Sequence, residues 1–124
     1  MKTALSHRFH IIPPDLLLSD VLLGITPYIP TGSYEVSARG AVSFTQDPVS
    51  DENGISWDLK FAATSDDLSL IKLNGSRAII AFHMTDGSLR YIGNSEECPL
   101  ITITPHAGVV RISAEITAFE PILL

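Results

Sequence analysis

The chain has 124 residues, of which 45% are hydrophobic and 18% are charged, and its formal net charge at pH 7 is −6. This length suits one domain with its own core, predicted over residues 1–124. An acidic chain whose eight basic residues form no run excludes duplex DNA and an anionic membrane as expected partners. A single cysteine and no apolar signal-peptide stretch at the start predict a cytoplasmic protein without an internal disulfide.

The first part of the chain predicts one strand and one ambiguous segment. Residues 5–12 are predicted as a strand, which Pro13 and Pro14 end because proline has no N–H to give to a sheet. Residues 16–23 fit either a buried helix or a strand, since periodicity does not separate the two over so short a run. An irregular connection rich in glycine and proline follows.

Two alternating runs predict a long hairpin. Apolar and polar positions alternate without a slip over residues 33–45, which is the pattern of a half-buried strand. Gly40 falls at an apolar position and indicates a bend or the close approach of another backbone. Residues 55–63 alternate in the same way, after a polar loop predicted at 47–54. The two runs together predict one hairpin over residues 33–63.

A short helix is predicted after this hairpin. Ser65 can cap a helix over residues 66–73, because its hydroxyl can accept a hydrogen bond from a free backbone N–H. Asn74 and Gly75 can end the helix in a left-handed conformation.

The rest of the chain predicts two strand pairs. Residues 77–84 read as a central apolar strand, and an Asp-Gly turn returns the chain along 89–92. Residues 99–104 and 108–119 form the last predicted pair. Six or seven strands with one short helix are typical of a mainly β fold. We predict an antiparallel β-sandwich or partly open barrel with a long hairpin.

Two groups of residues have the donor atoms of a metal site but not its arrangement. His7 and His10 are three apart, so on a strand their side chains point to opposite sides. Four oxygen-bearing residues lie in the predicted polar loop without the spacing of a calcium-binding loop: Asp47, Asp51, Glu52 and Asn53. We therefore predict no metal ion and no cofactor.

The sequence offers little for catalysis. Cys98 follows Glu96 and Glu97 and precedes Pro99, but a catalytic cysteine needs a nearby base and a lowered pKa. His83 and His106 are the candidate bases, although His83 lies among apolar residues typical of a core or edge position. No nucleophile elbow, Walker loop or dinucleotide fingerprint is present. No catalytic residue is predicted.

Both ends of the chain are apolar. Residues 11–18 and 121–124 resemble arms, whereas termini are usually polar and frayed unless they dock. Such arms either cover the protein's own sheet or dock on a neighbouring copy, and the sequence leaves both readings open.

Residues 73–93 resemble a segment of small phage and prophage structural proteins. The resemblance lies in a buried strand, the Asp86–Gly87 turn and a strand ending at Ile92–Gly93, followed by a loop and a final β-pair. It implies a β-rich subunit of a tail, tail tube or connector that is made in the bacterial cytoplasm and assembles into a ring. No functional residue is carried over from it.

These observations predict a non-catalytic assembly subunit of a phage or prophage tail-like particle, with copies of itself or neighbouring subunits as partners. The alternative is a small β-sandwich binding module for a peptide, carbohydrate or apolar ligand, with a pocket containing Trp57 or Tyr34. A third hypothesis is a hydrolase that uses Cys98 or a histidine.

Overall fold

The computed structural model of the chain describes residues 5–13, 32–84, 87–93 and 98–118. These residues form eight strands and one short 3₁₀ helix, Leu68–Leu73. The strands are β1 (Leu5–Ile12), β2 (Tyr34–Ser37), β3 (Ser43–Asp51), β4 (Gly54–Ser65), β5 (Ile79–Met84), β6 (Leu89–Ile92), β7 (Leu100–His106) and β8 (Val109–Ala118).

The strands form two four-stranded sheets in which the paired neighbours are antiparallel. Sheet A has the order β2-β1-β5-β6, and sheet B has the order β3-β4-β8-β7. The predicted fold class is confirmed as a β-sandwich with a long hairpin and one short helix, and it is not a closed barrel. Among the described residues, no helix has the length and apolar character needed to cross a membrane.

The main core lies between the sheets and is built around phenylalanine rings. Phe9 and Phe82 from sheet A and Phe61 from sheet B are almost completely buried. The ring centroids of Phe9 and Phe61 lie 4.8 Å apart, and those of Phe61 and Phe82 lie 6.0 Å apart. Burial of each such side chain contributes about 1.5–3 kcal/mol, so these contacts hold the two sheets together.

The prediction of one strand over residues 33–45 is wrong, because the chain crosses between the sheets there. The amide of Ala38 donates to the carbonyl of His7 in sheet A at 2.6 Å, and the next amide, of Arg39, donates to Thr64 in sheet B at 2.7 Å. Gly40 follows with a positive φ of 84°, so the bend indicated at this glycine is present. The hairpin therefore begins at Ser43.

The predicted polar loop at 47–54 is wrong as well, because most of it belongs to the hairpin strands. The pairing of β3 with β4 continues to Asp51 opposite Gly54. Pro48 is tolerated there because β3 is an edge strand of sheet B. An exposed edge strand needs few apolar side chains, which is why this segment reads as a loop in the sequence.

The short helix is confirmed, but its cap is not Ser65. The carboxylate of Asp67 accepts from the amide of Ser69 at 3.0 Å, so Asp67 is the N-cap of the 3₁₀ helix. The hydroxyl of Ser65 lies outside the helix, donates to the carbonyl of Ser37 and accepts from the amide of Asp67. It therefore links the end of β4 to β2 in the other sheet.

The remaining predicted strands are present with small shifts in their bounds. β5 is an inner strand of sheet A, as predicted, and β7 and β8 form the last pair. In the predicted N-terminal arm, Ile11 and Ile12 are core residues of β1 with no exposed surface. The remainder of that arm beyond Pro13, the ambiguous segment 16–23 and the C-terminal segment 121–124 lie outside the described residues.

Candidate functional site

The β3–β4 hairpin turns between Asp51 and Gly54, which form the last pair of its ladder. The described pairing of β4 with β8 runs from Ser65 to Trp57, and Trp57 lies opposite Ala118, the last described residue. We call residues 49–56 the hairpin tip.

The hairpin tip carries exposed apolar side chains. Leu59, Trp57 and Ile55 alternate along β4 and share the face that points to the core. Leu59 is buried, Trp57 is half-buried against the core and Ile55 is 61% exposed. Val49, on the opposite face of the hairpin, is 39% exposed. The core-facing row of β4 therefore continues into solvent at Ile55.

Acidic side chains surround the hairpin tip. Asp51 and Glu52 lie at its turn, and Asp47 stands directly opposite Asp58 further back on the two strands. The carboxylate of Asp51 accepts from the amide of Asn53 at 2.8 Å and stabilises the turn. No group of three or more His, Cys, Asp or Glu residues in the described ranges is arranged to hold a metal ion.

A second exposed apolar surface lies on the 3₁₀ helix. Side chains three residues apart are aligned in such a helix, so Leu70 and Leu73 pack on the core while Leu68 and Ile71 point outward. Leu68 is 50% exposed and Ile71 is 39% exposed. We call Leu68 and Ile71 the helix patch. The ammonium of Lys72 lies beside it, 5.3 Å from the centre of a tyrosine ring in β2.

The hairpin tip and the helix patch lie at opposite ends of β4. The tip contains the first residues of β4, and the 3₁₀ helix begins three residues after its end. Ten residue steps along β4 separate Ile55 from Ser65, so at 3.3 Å per residue the two ends of the strand lie about 33 Å apart. The tip of one molecule cannot contact the helix patch of the same molecule.

Two predicted candidates, His10 and His83, lie together on the outer face of sheet A. Their ring centroids are 5.8 Å apart, because β1 and β5 are neighbouring strands. Glu35 lies opposite His10 on β2, and its carboxylate is 3.4 Å from Nε of Arg8. Nδ1 of His10 is buried and has no hydrogen-bond partner among the described residues. His7, which is exposed in β1, is not part of this pair.

Burial has the largest influence on the pKa of His10. Burial lowers this pKa, because a charged imidazolium loses its contacts with water. Glu35 opposes this effect, while His83 and Arg8 add to it. The lowered pKa keeps His10 neutral at pH 7.

Cys98 lies in a second apolar cluster that is separate from the main core. It packs with Ile12, Ile79 and Ala81, which are completely buried although they face away from sheet B. Burial raises the pKa of the Cys98 thiol, and Arg77 opposes this more weakly. A nucleophilic cysteine needs the opposite shift. Of the candidate bases, His83 stands next to His10, and His106 is exposed at the end of β7.

An open groove of about 440 Å³ lies on the outer face of sheet B. Hydroxyl groups and one guanidinium, that of Arg111, give it a polar character. Its lining includes Ser43, Thr64, Thr104, Arg111 and Ser113. Neither Trp57 nor Tyr34, which were expected in a ligand pocket, lines this groove. Both pack against the main core.

The sequence interpretation did not identify the two exposed apolar surfaces. The helix patch has a signal in the sequence, because a 3₁₀ helix that buries Leu70 and Leu73 must expose Leu68 and Ile71. The exposure of Ile55 has a weaker signal in the sequence, which is the position of this residue beside the turn. Comparison with protein families, curated proteins and solved structures found no match to this chain.

Proposed function

We propose that this protein is a non-catalytic assembly subunit of a phage- or prophage-derived tail-like particle that binds copies of itself or neighbouring subunits. The hairpin tip carries the proposal. Ile55 is 61% exposed beside the turn of the β3–β4 hairpin. At that exposure its side chain contributes little to the protein's own core.

The energetics of burial favour an intermolecular role for the tip. Complete burial of an isoleucine side chain is worth about 1.5–3 kcal/mol, and Ile55 realises little of that in the isolated chain. An exposed hairpin tip can contact a neighbour without rearrangement of the sandwich. Its turn is stabilised locally by the Asp51 carboxylate, so little ordering is required on binding.

The resemblance in residues 73–93 supports the phage-derived assignment. This segment contains β5, a turn at Gly87 with a positive φ of 91°, and β6, which ends at Ile92. The β7–β8 pair follows, in the order that the resemblance implies.

Light scattering after gel filtration of the full chain over a range of concentrations tests this function. We expect a discrete multimer whose mass is a whole multiple of the chain mass, and electron microscopy should then reveal rings or tubes. A protein that remains monomeric at every concentration would contradict self-assembly.

The groove on sheet B favours a second candidate function, a binding module for a polar ligand such as a carbohydrate. Sites for such ligands are concave and carry a few convergent polar groups, and the groove offers several hydroxyls beside Arg111. A soluble oligosaccharide panel titrated into isotopically labelled protein should shift the amide signals of Ser43, Thr104 and Ser113. Shifts scattered over the whole surface, or none, would contradict this candidate.

A further inference from the structure

The two exposed apolar surfaces carry complementary charges. The turn of the hairpin tip is acidic, with Asp51 and Glu52 both exposed. At the other end of β4, the helix patch lies beside the exposed side chain of Lys72, and Arg111 is exposed on β8 opposite Thr64.

The acids near the helix patch are already engaged within the molecule. The carboxylate of Asp66 is 2.9 Å from the guanidinium of Arg39. The carboxylate of Asp67 caps the 3₁₀ helix by accepting from Ser69. Lys72 lies over the ring of Tyr34 and has no ion pair among the described residues, so its ammonium is available to an acidic partner, and the hairpin tip of a second copy is acidic.

We propose that copies of this chain associate head to tail, with the hairpin tip of one copy on the helix patch of the next. Ile55 packs against Leu68 and Ile71, and Glu52 faces Lys72. This inference rests on the proposed assembly function and specifies its contact. Because the two surfaces differ and lie at opposite ends of β4, the contact repeats from copy to copy and closes into a ring or continues as a filament.

The occupant is a second copy because one chain supplies both halves of the contact. Each half has an exposed aliphatic side chain: Ile55 is 61% exposed in the hairpin tip, and Leu68 is 50% exposed in the helix patch. Glu52 beside Ile55 is negative, and Lys72 beside the helix patch is positive. A symmetric two-fold dimer through the tip alone would bring Asp51 and Glu52 of both copies together, which like-charge repulsion opposes.

Single substitutions on either surface test the contact. Ile55→Ser and Leu68→Ser should each raise the concentration for half-assembly by about tenfold or more, as expected for a central apolar contact. Leu100→Ser is the matched control, because Leu100 is 43% exposed on β7 and belongs to neither surface. Masses are measured by light scattering at equal concentrations.

Mixing the two variants tests the head-to-tail geometry. Ile55→Ser retains an intact helix patch and Leu68→Ser an intact tip, so an equimolar mixture should form a 1:1 dimer and nothing larger. Each variant alone stays monomeric at that concentration. A mixture that gives no dimer would overturn the head-to-tail contact.

A charge exchange provides a test that does not depend on apolar substitutions. Glu52→Lys and Lys72→Glu should each weaken assembly, and the two together in one chain should restore it. A multimer that forms in the wild type and is unchanged in every variant would overturn this contact and leave the assembly function standing. A wild-type monomer at every concentration would overturn both.

Discussion

The imidazole rings of His10 and His83 lie 5.8 Å apart, edge to face, on the outer face of sheet A. Burial lowers the pKa of His10 in the folded protein, whereas a histidine in an unfolded chain titrates near 6.5. Between these two pKa values the unfolded state binds more protons than the folded state. The contribution of His10 to the free energy of unfolding is therefore fully present above about pH 6.5 and is lost as the pH drops toward the folded pKa.

We expect His10→Gln to reduce this acid sensitivity. Glutamine keeps a polar, hydrogen-bonding side chain at the position but does not titrate. Urea unfolding at about pH 8 and about pH 5 should show a smaller loss of stability for His10→Gln than for the wild type. His106→Gln removes an exposed histidine and is the control. An equal reduction in both variants would contradict the assignment to His10.

A second prediction concerns the carboxylates of Asp47 and Asp58, which stand opposite each other on β3 and β4. Like charges in directly opposed positions destabilise a sheet, so Asp47→Asn should raise the free energy of unfolding by about 0.2–1 kcal/mol. Asp58→Asn should raise the free energy of unfolding by less, because the carboxylate of Asp58 accepts a hydrogen bond from the hydroxyl of Thr117 at 3.1 Å and the substitution weakens that bond. The gain should shrink at high salt, where exposed charges are screened. A gain that salt does not change would rule out repulsion as its cause.

The fold class was predictable because strand alternation and turn chemistry are local properties. The crossing from sheet A to sheet B was not predictable, and Val36 and Phe44 show why. Both lie at even positions, and they pack on the same core from β2 in sheet A and β3 in sheet B. The alternation therefore continues unbroken through the crossover, and Gly40 is the single local sign of it.

The site residues were harder to predict, because burial and contact depend on tertiary packing. Ile55 continues the alternation of Trp57 and Leu59, yet it is 61% exposed whereas Leu59 is buried. His10 and His83 are distant in sequence, and they meet because β1 pairs with β5. Pairing between distant strands leaves no mark in either local pattern.

The Cys98 thiol supplies a third prediction. It is 7% exposed, and burial raises its pKa, so both access and thiolate fraction are low in the folded protein. We expect a disulfide reagent to modify native Cys98 far more slowly than the urea-unfolded chain, which contains the same thiol and is the internal control. Equal rates would contradict the burial of this thiol and would revive the hypothesis of a cysteine nucleophile.

The last prediction tests the crossover through Gly40. Its φ of 84° lies in the left-handed region, where a Cβ costs about 1–2 kcal/mol, and no atom within 4 Å would obstruct that Cβ. Gly40→Ala should therefore destabilise the protein through backbone strain rather than crowding. Gly40→Asn should lower the free energy of unfolding by less than Gly40→Ala, because asparagine adopts left-handed conformations more readily than alanine. Urea unfolding of both variants measures the difference. If Gly40→Ala were as stable as the wild type, the chain could pass between the sheets without this backbone conformation.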